Sequence, residues 1–258
     1  MIKIALAFLC ILGVMFCNAE VSTNAIKLPP KENFHLYLLI GQSNMSGRGK
    51  IEEQDKTPHP RVLNFNKAGD WVPAVDPLHF DRANAGVGLG TTFGKIMAEK
   101  NPGITIGLIP CAVGGTPLSR WMKGGDLNSN AVLRAKQALK NGTLKGILWH
   151  QGENDAKDED TANTYAERLA KMIGDLRIEL NATNVPFVAG EIGRFLYTHE
   201  PRHAEIINKQ LNTIPSKVPN TAVAGSDGLG DKGDGIHFDS PSLREFGKRY
   251  AEKMTTLR

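Results

Sequence analysis

The stretch Phe34-His35-Leu36-Tyr37-Leu38-Leu39-Ile40-Gly41-Gln42-Ser43-Asn44-Met45-Ser46-Gly47 decides how this chain folds. Residues 34–40 are a near-continuous apolar run bounded by turn formers, the pattern of a buried strand. A strand that stops at glycine and runs on into serine, asparagine and glycine turns sharply at the sheet edge. Such a turn lifts one side chain clear of the sheet and leaves backbone N–H groups free around it. A serine hydrolase needs that arrangement, an exposed Oγ with amide donors beside it. The G-x-S-x-G elbow is absent, because Met45 stands two residues after Ser43. Read alone, the stretch serves equally well as a polar strand-to-helix turn with Ser43 and Asn44 as caps.

Further along, strands alternate with helices. Arg61 to Phe65, Ile104 to Ile109, Lys145 to His150, Pro186 to Ile192 and Thr221 to Ala224 read as strands. Thr91 to Lys100, Asn130 to Lys140, Thr161 to Leu180, His203 to Ile214 and Ser240 to Met254 read as helices. Gly47 to Pro60 and Trp71 to Phe80 are expected to be loops. Gly86-Val87-Gly88-Leu89-Gly90 is a helix start rather than a dinucleotide fingerprint, since it lacks the G-x-G-x-x-G spacing. The alternation predicts a three-layer α/β domain with a mainly parallel sheet.

A chain of 258 residues, 41% hydrophobic and 22% charged, suits one globular domain. The formal charge of +4 is slight and no Lys/Arg block stands out, which argues against nucleic acid or an anionic membrane surface as partner. Lys3, the apolar run Ile4 to Phe16 and the small residues around Ala19 form a secretory signal peptide over 1–19. The run is shorter than the roughly 20 residues of a membrane span. No span is expected after cleavage, and the mature chain is expected to be secreted or periplasmic. Residues 20–32 read as a tether and 33–258 as the domain. Cys10 and Cys17 leave with the leader, so Cys111 remains alone, without an intramolecular disulfide, as a buried structural thiol.

Ligands of open α/β sheets gather beyond the carboxyl ends of the strands. The polar blocks of this chain fall there: Ser43, then Gly114-Gly115, then Gln151-Gly152-Glu153-Asn154-Asp155, with Asp234-Gly235-Ile236-His237 just before the last helix. Their chemistry is complementary. A neutral imidazole at His237 suits removal of the Ser43 proton, and Asp234, three residues earlier, is placed to hold the other ring nitrogen. Ser43 and Gly114 would supply backbone N–H donors to an oxyanion, and Gln151 or Asn154 a side-chain amide. Asp227, Asp231, Asp234 and Asp239 lack calcium-loop spacing, and His150 with Glu153 and Asp155 lacks a second histidine at zinc spacing. Neither a metal nor a cofactor is expected.

The order Gly41-Gln42-Ser43-Asn44-Met45, Gly114-Gly115-Thr116, Trp149-His150-Gln151-Gly152-Glu153-Asn154-Asp155 and Asp234-Gly235-Ile236-His237-Phe238 resembles the SGNH hydrolases. More closely it is similar to the sialate O-acetylesterase and acetyl xylan esterase group, carbohydrate esterase family 6. The resemblance covers essentially the whole mature chain. It implies a flavodoxin-like α/β/α fold and metal-free removal of O-acetyl groups from carbohydrates, with Ser43 as nucleophile, His237 as base and Gly114 or its neighbour as an oxyanion donor. It leaves two choices open, Gln151 against Asn154 as amide donor, and Asp234 against Glu153 as the carboxylate behind His237. Arg48, Trp71, Arg120 and Trp121 flank the site, with Arg48 and Trp121 the candidate sugar contacts. The competing readings are a carbohydrate-binding protein of this fold without catalysis, and a lipase or lysophospholipase of the same superfamily. Oligomeric state is not legible in the sequence.

Overall fold

Strand β1 (Phe34–Gly41) lies in the middle of a seven-stranded sheet. The computed structural model describes residues 26–198 and 203–257. The leader expected over 1–19 and the first part of the tether lie outside the described residues. After β1 come the single-turn helix α1 (Ser43–Ser46), β2 (Val62–Phe65), β3 (Trp71–Pro73), α2 (Leu89–Lys100), β4 (Thr105–Pro110) and α3 (Asp126–Ala138). Then follow β5 (Thr143–His150), α4 (Glu159–Asn163), α5 (Tyr165–Glu179), β6 (Phe187–Gly190), α6 (Ala204–Asn212), α7 (Ile214–Lys217), β7 (Thr221–Ala224) and α8 (Ser240–Thr256). The strand order is β3-β2-β4-β1-β5-β6-β7, parallel throughout except for the β2–β3 pair.

The apolar run of β1 is unbroken because both its faces are covered. Phe34, Leu36, Leu38 and Ile40 pack with Ile147 and Trp149 of β5 and with the apolar faces of α3, α5 and α6. Tyr37 and Leu39 point the other way, onto Phe93 and Met97 of α2 and Leu243, Phe246 and Tyr250 of α8. The result is three layers, with helices on both sides of the sheet. Cys111 is buried just past β4, and burial pushes its thiol up to about 11. No described helix is long and apolar enough to cross a membrane.

Two elements depart from the sequence reading. Residues 71–73 form an edge strand where a loop is expected, held antiparallel to β2 while Trp71 packs on Phe34 and Phe65 at ring-centroid distances of 4.6 and 4.9 Å. The long helix expected over 161–180 is two helices. Asp158 caps α4 by accepting from the Thr161 N–H, and Thr164 gives both its N–H and its hydroxyl to the Asp160 carbonyl, so the chain turns before Tyr165 begins α5.

At the carboxyl ends of β1 and β5 the backbones meet closely. Gly41 has φ +133°, and a Cβ there would lie 2.1 Å from the His150 carbonyl oxygen, so only glycine fits. The Gln42 N–H donates to that same carbonyl at 2.8 Å. This junction sets the Gly41–Gly47 turn beside the Gln151–Asp155 block.

Candidate active site

Ser43 is the first residue of α1, and its backbone N–H belongs to the group that a helix start leaves without an intrahelical partner. The Ser43 Oγ lies 3.1 Å from His237 Nε2, and His237 Nδ1 lies 2.8 Å from Asp234 Oδ2. The carboxylate can only accept, so the proton sits on Nδ1 and the Nε2 lone pair faces the serine hydroxyl. Asp234 Oδ1 is also occupied, accepting the N–H groups of Ile236 at 3.0 Å and His237 at 2.8 Å. Asp234, His237 and the turn between them are therefore one hydrogen-bonded unit, with Lys232 Nζ 3.3 Å from Asp234 Oδ2.

Burial pushes the Asp234 carboxyl up, but the His237 ring and the two backbone N–H groups outweigh it and hold it well below the usual carboxylate range. The remaining aspartates of this loop have structural work. Asp231 accepts from the Gly233 and Gly235 N–H groups, and Asp239 caps α8 through the Ser242 N–H.

Glu153 does not touch His237. It is buried, its Oε1 accepts from the Asn44 amide at 2.6 Å, and it stands 3.4 Å from His150 Nε2. Of the two carboxylates left open by the sequence, Asp234 is the one on the imidazole. Gln151 is also corrected. It is fully buried, and its Nε2 is committed to Gln42, the Thr116 carbonyl and Asp155, which takes it away from an oxyanion. Its neighbour Asn154 lies past the turn and lines the cavity, with Nδ2 donating to the Gly115 carbonyl at 3.0 Å.

The Gly114 N–H is occupied as well, donating to Asp81 Oδ2 at 2.9 Å. Asp81 is clamped in turn by Arg48 Nη2 at 2.6 Å. Burial works against the Asp81 charge, but Arg48 and the Gly114 amide hold its pKa below the usual range. Arg48 also donates to Ser46 Oγ and to the Gly47 carbonyl, so it lines the cavity as a buried brace rather than a free cation. Trp121 is a correction: it is 1% exposed, stacks edgewise on Trp149 and donates to Thr116 Oγ1, inside the core and off the cavity wall. Arg120 is paired with Asp126, and Trp71 sits at the far edge of the sheet.

The cavity at this sheet edge has a volume of about 480 Å³. Ser43, His237, Gly114, Gly115 and Asn154 line it together with Gln42, Arg48 and Glu153, and so do Arg82, Asn84, Lys157, Lys232 and Ile236. These last five were not anticipated. They stand on loops, turns and, for Lys157, a single 3-10 turn, where no spacing signals which side chain faces a ligand. Asp81 stands in the same kind of segment, without a periodic signal.

A mainly parallel three-layer sheet with this serine edge is the fold of the SGNH hydrolases, and proteins of that fold are its structural neighbours. Residues 33–256 match the family described as carbohydrate esterase, sialic acid-specific acetylesterase, and the chain belongs to that family of carboxylic ester hydrolases. It is 29% identical over 246 residues to the Arabidopsis thaliana protein described as probable carbohydrate esterase At4g34215, covering 87% of this chain and 90% of that one. The crystal structure of the Arabidopsis protein superposes with a TM-score of 0.80 at 27% identity, over 88% of this chain and 99% of that one. NanS shares the fold at a TM-score of 0.72 and 18% identity, over 89% and 98% of the two chains. A carbohydrate acetylesterase from Xanthomonas citri shares it at 0.66 and 22% identity, over 87% of this chain and 56% of that one.

Proposed function

We propose that this protein removes O-acetyl groups from a carboxylate-bearing sugar of the sialate type through an acetyl-enzyme on Ser43. The observation that carries the reading is the Asp234–His237–Ser43 relay, with links of 2.8 and 3.1 Å, opening on a cavity of sugar size. Ser43 Oγ attacks the acetyl carbonyl carbon while His237 Nε2 takes its proton. The carbonyl oxygen becomes an oxyanion facing the Ser43 N–H, with the Gly115 N–H and the Asn154 amide as the other candidate donors. Collapse breaks the bond to the sugar oxygen, which leaves with the proton from His237. Water, deprotonated by His237, then attacks the acetyl-serine; collapse breaks the acyl bond to Ser43 Oγ, which takes the proton back from His237 as acetate departs.

Arg82 and Lys157 favour a sialate-type over a xylan-type substrate, because a cationic rim suits a sugar that carries a carboxylate; Lys232 is paired with Asp234 at 3.3 Å. Ile236 is the one hydrocarbon side chain among the described lining residues, which argues against a long acyl chain. The test is acetate release from O-acetyl sialic acid beside acetylated xylan, for the wild type and for Arg82→Ala/Lys157→Ala. The wild type is expected to prefer the sialic acid. The variant's KM for it should rise about 10-fold at low ionic strength, fading with salt, with little change on 4-nitrophenyl acetate. Equal efficiency on the two glycans would refute the anionic-sugar assignment.

Export belongs to the same reading. The leader over 1–19 is expected to be removed in the cell of origin, so that Edman sequencing of the exported protein begins at Glu20. A protein retained in the cell with residues 1–19 in place would refute it.

A further inference from the structure

Asp234 sets the tilt of the His237 ring, but both residues stand on one loop and move together. Something else must fix that loop against the nucleophile turn. Between residues 230–238 and residues 41–47, the described hydrogen bonds other than the His237–Ser43 contact all belong to Asn44. The Asn44 Nδ2 donates to the Ile236 carbonyl at 3.1 Å, and its Oδ1 accepts from the Phe238 N–H at 3.2 Å. Ile236 and Phe238 are the two chain neighbours of His237. Asn44 is the chain neighbour of Ser43. One fully buried amide thus joins the peptide beside the nucleophile to the peptides on both sides of the base.

The orientation of that amide is forced. Glu153 Oε1 and the Ile236 carbonyl can only accept, and the Phe238 N–H can only donate, so Nδ2 and Oδ1 have one consistent placement. Behind Glu153 lies His150, with Nε2 3.4 Å from Glu153 Oε1. The Tyr250 hydroxyl donates to the Trp149 carbonyl at 2.7 Å and stands 3.2 Å from His150 Nδ1. Burial would raise the Glu153 pKa, but the His150 contact and the Asn44 bond outweigh it and hold it below the ordinary value.

We infer that Asn44, held by Glu153, is the positioning residue that sets the Ser43–His237 distance. The inference rests on the serine mechanism proposed above. Its test uses the mature chain and two readouts: steady-state acetate release, and the rate at which a fluorophosphonate labels Ser43. Labelling needs proton transfer from Ser43 to His237 but no acetylated sugar. Asn44→Ala is expected to lose on the order of 100-fold in kcat and in labelling rate with KM nearly unchanged, since a misplacement of about 1 Å costs that much. Asn44→Asp sets a carboxylate against Glu153 and the Ile236 carbonyl and should be at least as impaired. Adding Glu153→Gln supplies a donor to that aspartate, so the double variant should recover roughly 10-fold over Asn44→Asp.

Wild-type labelling by Asn44→Ala, or a double variant no faster than Asn44→Asp, overturns the inference. If Asn44→Ala does not fold, Glu153→Ala takes its place, with a loss of about 10-fold expected. A wild type that is labelled quickly but releases no acetate from sugars defeats the substrate assignment and leaves the Asn44 inference to be decided by the labelling rates. A wild type that is not labelled at all defeats both.

Discussion

Ser43→Ala is expected to abolish acetate release, with a loss in kcat approaching 10⁶-fold, about that of nucleophile deletion in a serine hydrolase. The fold should survive. The hydroxyl's one described partner is His237, while the turn is held by other atoms: the Gln42 N–H on the His150 carbonyl, Arg48 on the Gly47 carbonyl and Ser46, and the Asn44 amide. Stability by urea unfolding should therefore change by less than about 1 kcal/mol. Acetate release by a folded Ser43→Ala protein would remove Ser43 as nucleophile.

The second large effect is expected at Asp234. In Asp234→Asn the side-chain oxygen stays with the Ile236 and His237 N–H groups, which can only donate, so the new NH₂ takes the place of Oδ2. It then faces His237 Nδ1 as a donor and stabilises the tautomer with the proton on Nε2, pointing at Ser43. A base in the wrong tautomer accepts nothing from the serine, and kcat should fall about 10⁴-fold with the fold retained. The pKa of Asp234 is lowered in the folded protein, so its contribution to stability is present above the ordinary value of about 4 and is lost as pH falls below it. Urea unfolding at neutral pH should find the variant less stable than wild type, and the gap should close in strong acid. A gap that widened toward acid would contradict this assignment of the carboxylate.

Much of this was legible in the sequence because it follows from period and position. The strand runs are continuous where both sheet faces are covered, and the polar blocks sit at strand ends, where the sheet delivers them to one edge. What escaped has a common physical cause. β3 is three residues long and has no period of its own; Trp71 finds its place only by packing on Phe34 and Phe65. Trp121 follows a glycine turn, where an aromatic ring can face in or out. Thr116 and Trp149, distant or silent in sequence, draw it inward. Gln151 and Asn154 are three residues apart and chemically alike, and only the turn at Gly152 decides that one goes under the sheet edge and the other over it. Asp81 reaches the Gly114 amide across 33 residues, with no local pattern to announce it.

The two residues that flank Ser43 both reach across to the end of β5. Gln42 accepts from Gln151 and from the Asn154 N–H, and Asn44 donates to Glu153. The turn that carries Ser43 is thus not a portable part. Anyone grafting Gly41 to Gly47 onto another α/β scaffold would have to transplant residues 150–154 with it, as a two-piece cassette, and a library that varies one segment while freezing the other would mostly sample broken combinations.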